Sequence, residues 1–222
     1  MHKKIILTFT GLIVVGFSLL ALNIGIKKRL SKTAVKTENS AADSLKDGDI
    51  IFQISVDGQG KAIQLATKSV YTHVGVIFNI DGQWQVYEAV QPVKRTPLNV
   101  FIAEGDSSQY VIKRLVQADS LLSMDKKAAM KTYLNAQLNK NYDPYFNWKD
   151  DALYCSELVW KCFRKAGIEL TVLKSLKSYD LSSPIVKAIM KERYGKNIPY
   201  DEKVVSPGDI FDSGKLFEVR KN

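Results

Sequence analysis

The first strong pattern along the chain is an apolar one. Residues 5–26 form a run of 22 without a charge, set between Lys3-Lys4 and Lys27-Lys28-Arg29. A helix needs about 20 such residues to cross a bilayer core, whereas a secretory signal has an apolar region of roughly 7–15 and a small-x-small cleavage site. Leu19 stands two places before Ala21, a poor match to such a site, so residues 1–29 read as an uncleaved membrane anchor. Residues 30–44 lack apolar periodicity and read as a linker. From Leu45 onward the pattern is that of one domain, 45–222. Strand-like runs fall at 50–54, 73–80, 83–90 and 110–115, and helix-like spacing at 61–68, at 124–138 and around Cys155. Val205 to Phe211 reads as a turn into a last docked stretch. The economical architecture is α+β, an antiparallel sheet packed against the Cys155 helix.

The Cys155 helix carries the sharpest chemical signal. Cys155, Val159, Cys162, Phe163 and Ala166 repeat as a buried stripe, with Lys161, Arg164 and Lys165 on the other side and Gly167 as the C-terminal cap. Cys155 would then stand in the first turn, where free N–H groups and the positive end of the helix dipole stabilise a thiolate. Asp150 and Asp151 lie just upstream and oppose a thiolate, so a basic partner is required. On the helix alone, Cys155 reads equally well as a small core residue.

Of the two histidines, His2 belongs to the N-terminal tail, which leaves His73 as the credible base. It lies on the run Tyr71 to Phe78, followed by Asp81-Gly82 and a second strand. A two-residue loop at Asp81-Gly82 sets His73 opposite Val90 and Gly75 opposite Glu88. His73 and Glu88 become diagonal neighbours on one face, and Gly75 adds no side chain between them. A carboxylate so placed can orient an imidazole. The plain alternative is a solvated Glu88 and a hydrogen-bonded sheet histidine.

These residues also carry a resemblance. Leu45 to Phe52, Thr72-His73-Val74-Gly75-Val76, Val86-Tyr87-Glu88-Ala89, Tyr142-Asp143 and Tyr154-Cys155-Ser156-Glu157-Leu158, in that order, are similar to the YiiX/YebB-like branch of the NlpC/P60 cysteine hydrolase superfamily. The resemblance implies a circularly permuted papain-like fold, in which the histidine precedes the cysteine. It implies Cys155 as nucleophile, His73 as base and Glu88 as the orienting residue of an amidase or peptidase. Such a set cleaves an acyl or peptidyl amide, for instance a cell-wall peptide or an N-acyl lipid, through an acyl-enzyme and without a cofactor. The Cys155 N–H is a natural oxyanion donor; Tyr154 and Gln53 are candidates for a second donor or a substrate contact. An acyltransferase, or a membrane-tethered module that binds lipid or peptide without turnover, is the alternative.

The remaining features narrow the class. Cys155 and Cys162 are seven apart on one helix, so about 10 Å separates them at 1.5 Å per residue, too far for a disulfide. Two cysteines and one strand histidine lack the spaced ligand pairs of a structural zinc site. The net charge of +9 suits a membrane surface or anionic polymer, and no nucleic-acid motif accompanies it. Tyr142, Tyr145, Phe146 and Trp148, just before the nucleophile helix, serve core packing or line a groove. Lysine and arginine number two before the apolar run and five shortly after it, which taken alone keeps the domain cytoplasmic. The resemblance implies export, so the expected location is the cell envelope, with the domain outside the cytoplasm. Secretion after cleavage, or a cytoplasmic-facing domain, is the alternative.

Overall fold

A computed structural model describes residues 45–222 except Val56. The anchor and linker expected at 1–44 lie outside the described residues, and among those described no helix is long and apolar enough to cross a membrane. In chain order the elements are β1 (Asp49–Gln53), α1 (Gly58–Thr67), β2 (His73–Ile80), β3 (Gln83–Glu88), β4 (Lys94–Pro97), α2 (Leu98–Glu104), β5 (Tyr110–Leu115), α3 (Ala118–Leu121) and α4 (Met124–Gln137). There follow β6 (Asn141–Tyr142), β7 (Ala152–Leu153), α5 (Cys155–Lys165), β8 (Lys174–Ser175), α6 (Pro184–Tyr194), β9 (Lys203–Val204), α7 (Pro207–Phe211) and β10 (Leu216–Lys221).

Six strands form one antiparallel sheet in the order β10-β5-β1-β2-β3-β4. Strand alternation gives it two buried faces. Ile50, Phe52, Val74, Val76 and Phe78 pack with Leu158, Val159, Cys162 and Phe163 of α5 and with Met130 and Leu134 of α4. Ile51, Ile77, Val86 and Ile112, which alternate with them, are equally buried. The fold is α+β with the sheet against the Cys155 helix, as the pattern of apolar positions implied.

The β2–β3 hairpin has the expected register. Asp81 and Gly82 both have positive φ, 52° and 83°, as a two-residue loop between right-twisted strands requires. Val76 pairs with Tyr87 and Ile80 with Gln83. A side chain at Gly75 has no room: its Cβ would lie 2.4 Å from Val86 Cγ1 and 2.9 Å from the Tyr87 carbonyl oxygen.

Several boundaries differ from the sequence expectation. α1 starts at Gly58 rather than at 61, because the Asp57 side chain accepts the Gly60 N–H at 2.6 Å and caps the helix early. β3 ends at Glu88, not 90. The stretch at Val205 to Phe211 contains a short helix rather than only a turn: Ser206 Oγ accepts the Asp209 N–H at 3.1 Å, and Asp209 Oδ2 accepts the Ser206 N–H at 2.8 Å. The short elements β4 and α2 have no clear period in the sequence and were not expected.

Candidate active site

The proposed nucleophile and base each stand at the start of an element. Cys155 is the first residue of α5, and His73 the first of β2. The β2–β3 register brings Glu88 to the face of His73, and His73 Nε2 lies 2.7 Å from Glu88 Oε2. That leaves the other ring nitrogen for the Cys155 thiol, which acts on the His73 pKa together with Glu88. The other carboxylate oxygen of Glu88 accepts from Thr96 Oγ1 and lies 3.7 Å from Lys94 Nζ. Lys94 is directly across from Glu88 on β4, with Thr96 its diagonal neighbour on the same face. Phe101 of α2 stacks on the His73 ring, centroids 5.5 Å apart and planes 24° from parallel, closing that side to water.

Burial and partnership pull on these groups in opposite directions. Burial alone pushes His73 down, but hydrogen bonds and negative charge from Cys155 and Glu88 outweigh it and raise the imidazolium to about 10. Burial pushes Glu88 up, and His73, Thr96 and Lys94 together hold it below the ordinary carboxylate value. Cys162, one helical face behind Cys155, has no such partners; burial alone pushes its thiol well up. Both cysteines are free.

Glu157, in the first turn of α5, is wholly buried. Its Oε2 accepts the Tyr154 N–H at 3.3 Å, and Oε1 lies 2.7 Å from Lys161 Nζ, an ion-pair distance without the direction of a hydrogen bond. Burial outweighs these partners and raises the carboxyl to about 7. Lys161 is therefore not a solvated lysine of the outer face, as the helical spacing suggested. Its side chain is only 14% exposed, drawn in by Glu157 and by Asp150 at 2.8 Å.

Cys155 also lines a narrow apolar slot of about 100 Å³ that runs between α1 and α6. Ala62, Ile63 and Ala66 form one wall, and Val186, Ile189 and Met190 the other. At one end Gln59 accepts from Arg193 Nη2 at 2.6 Å and donates through Nε2 to the Tyr142 hydroxyl at 2.7 Å. Since that hydroxyl accepts from Gln59, its own proton is free to point elsewhere. Tyr142 is partly buried and feels the charge of Cys155; burial, then Cys155, push its phenol well up.

The other sequence candidates fall around this centre. Tyr154 lines the slot, but its hydroxyl accepts the Val205 N–H at 3.2 Å. Gln53 pairs directly with His73 across β1 and β2, and its Oε1 is buried without a hydrogen-bond partner. The aromatic cluster divides. Tyr142 and Phe146 line the slot, Trp148 packs on Trp160 and Tyr154, and Tyr145 is largely exposed beside Tyr194. Thr96, Phe101, Gln59 and Arg193 escaped the sequence reading, because their roles arise from contacts between segments with no shared motif.

Comparison with known proteins identifies the family and the fold. Residues 44–220 match the family described as permuted papain-like amidase enzyme, YaeF/YiiX, C92 family. The chain belongs to that family. It is 47% identical over 175 residues to the uncharacterized protein YiiX of Escherichia coli K12, an alignment covering 78% of this chain and 85% of the relative. It also superposes on a crystal structure described as metalloprotein YiiX from Escherichia coli O157:H7, with a TM-score of 0.76 and 46% identity, covering 81% of this chain and 98% of that one. The permuted papain-like fold is thereby shown, and with it a cysteine amidase at the level of the family.

Proposed function

We propose that the protein hydrolyses amides of long apolar acyl groups, with Cys155 as nucleophile, His73 as acid and base, and Glu88 as the orienting carboxylate. The observation that carries this reading is the slot: apolar walls with Cys155 among its lining residues suit a hydrocarbon chain whose carbonyl rests at the thiol. A cell-wall peptide, the other substrate class expected from the sequence, would leave polar groups facing those walls unpaired.

The residues supply each step. His73 takes the Cys155 proton, giving a thiolate and an imidazolium, and Glu88 stabilises the positive ring and fixes its tautomer. The thiolate attacks the carbonyl carbon. The oxyanion is met by the Cys155 N–H at the helix start and by a second donor drawn from the hydroxyls of Tyr142 and Tyr154, each of which accepts one hydrogen bond and keeps its proton free. His73 then protonates the leaving amine, the thioester remains on Cys155, and water activated by His73 releases the acid. The metalloprotein description belongs to the E. coli relative. Among the described residues here no group of three or more His, Cys, Asp or Glu side chains is placed to hold a metal ion, so the donor set does not fit one.

The test compares acetyl and dodecanoyl p-nitroanilides with wild type, Cys155→Ala and Ala62→Phe, the last placing a ring in the slot. Dodecanoyl should be the preferred substrate, Cys155→Ala should be inactive on both, and Ala62→Phe should lose the long substrate selectively. Equal turnover of both amides by wild type and by Ala62→Phe would remove the slot from the account. The domain is further proposed to face the outside of the cytoplasm, held by the N-terminal apolar segment; protease shaving of intact cells that leaves it uncut would contradict this.

A further inference from the structure

Arg193 is the one basic side chain among the described residues lining the largely apolar slot. It lies at the Gln59–Tyr142 end rather than out along the chain-binding walls. A guanidinium has five N–H donors in a rigid fork suited to carboxylate or phosphate oxygens. Here one donor goes to the neutral Gln59 oxygen at 2.6 Å, and the guanidinium carbon sits 5.2 Å from the centre of the Phe146 ring. Among the described residues no carboxylate lies within ion-pair distance of it. The neighbouring acid, Asp143, spends its oxygens on the Tyr145 and Asn147 N–H groups, at 2.8 and 2.6 Å. A half-buried charge against apolar walls is costly unless something pairs with it.

We infer that Arg193 recognises an anion on the substrate, and that the acyl amide cleaved here carries a carboxylate or phosphate a few bonds from the scissile carbonyl. This rests on the acyl-amide reading above. The acyl chain fills the slot, the carbonyl meets Cys155, and the anionic oxygens take the free fork of Arg193. Two sources offer that chemistry: an N-acyl amino acid, whose carboxylate is one carbon from the amide nitrogen, and an acylated phospholipid headgroup.

Two alkylating agents of similar size test the charge without a known substrate. Iodoacetate is anionic and iodoacetamide neutral, and intact mass reports their rates at Cys155 in the full-length protein. The His73 imidazolium gives every variant some preference for iodoacetate, so the quantity that matters is the change in the rate ratio. Arg193→Gln should cut the iodoacetate-to-iodoacetamide ratio by about tenfold, the scale of one charge-assisted contact, by lowering the iodoacetate rate alone. Arg193→Lys should keep part of it, and Lys191→Gln, on the exposed side of α6, should keep all of it. In a second arm, N-dodecanoylglycine should protect Cys155 better than its methyl ester does, and Arg193→Gln should abolish the difference. Stronger Arg193-dependent protection by dodecyl phosphate would assign the anion to a phosphate instead. An unchanged ratio in Arg193→Gln overturns the inference. So does an equal slowing of both reagents, since Arg193 would then only hold Gln59 and Tyr142. If wild-type Cys155 is inert to both agents, the hydrolase reading fails, and this inference falls with it.

Discussion

Glu88→Gln is the most informative single change, because it keeps the shape of the side chain and removes only its charge. In the native site Glu88 is almost fully buried and its Oε2 lies 2.7 Å from His73 Nε2. Two unit charges with centres about 4 Å apart interact by roughly 4 kcal/mol at an effective dielectric near 20. At about 1.4 kcal/mol per pKa unit, that corresponds to roughly 3 units of support for the imidazolium. Cys155 and Glu88 together raise the His73 imidazolium to about 10; without the Glu88 charge it should fall toward neutrality. The proton that His73 must deliver to the leaving amine is then missing at lower pH. The assay is the pH profile of kcat/KM on the dodecanoyl amide, with iodoacetamide alkylation of Cys155 alongside. The alkaline limb should move from about 10 toward neutrality, and turnover near neutral pH should drop by about 10²- to 10³-fold, less than in Cys155→Ala. A limb that stays at about 10 in Glu88→Gln would refute the reasoning, since Cys155 alone would then be holding the imidazolium and the Glu88 charge would add nothing.

Other substitutions test the supports around this pair. Thr96→Val removes the hydroxyl that Glu88 accepts from and should lower kcat by about tenfold with a smaller shift of the same limb, while Thr96→Ser restores both. Gly75→Ala places a Cβ 2.4 Å from Val86 Cγ1 and should cost about 1–3 kcal/mol in denaturant melts; an unchanged midpoint would mean the hairpin yields freely there. Glu157→Gln tests linkage. A carboxyl raised from 4.5 to about 7 in the folded protein favours folding at low pH, and that contribution is lost as pH rises through this window. The stability of Glu157→Gln relative to wild type should therefore rise by about 3 kcal/mol between pH 4.5 and pH 8, and a difference independent of pH would contradict the burial of that charge.

The parts of the site that could be read from the sequence are those fixed by local geometry. Asp81-Gly82 sets the loop length, the loop length sets the register, and the register sets Glu88 beside His73. In the same way, the apolar stripe of α5 put Cys155 at a helix start and Cys162 inside the core. What stayed hidden depends on contacts between distant segments. Thr96 and Phe101 reach the triad from β4 and α2, elements too short to show a period. The slot needs α1 and α6, joined by the Arg193–Gln59 hydrogen bond across 134 residues, and neither helix alone predicts a cavity. Lys161 was misplaced for a related reason: helical spacing put it on the outer face, but Glu157 and Asp150 fold its long side chain inward.

The central claim is that Cys155 carries an acyl group taken from an apolar amide, and intact-mass analysis after mixing the protein with a dodecanoyl p-nitrophenyl ester tests it most directly. The account predicts a dodecanoyl adduct located on Cys155 by peptide mapping, slow to hydrolyse in Glu88→Gln and absent in Cys155→Ala. An adduct that persists in Cys155→Ala, or that maps to Cys162, would contradict it.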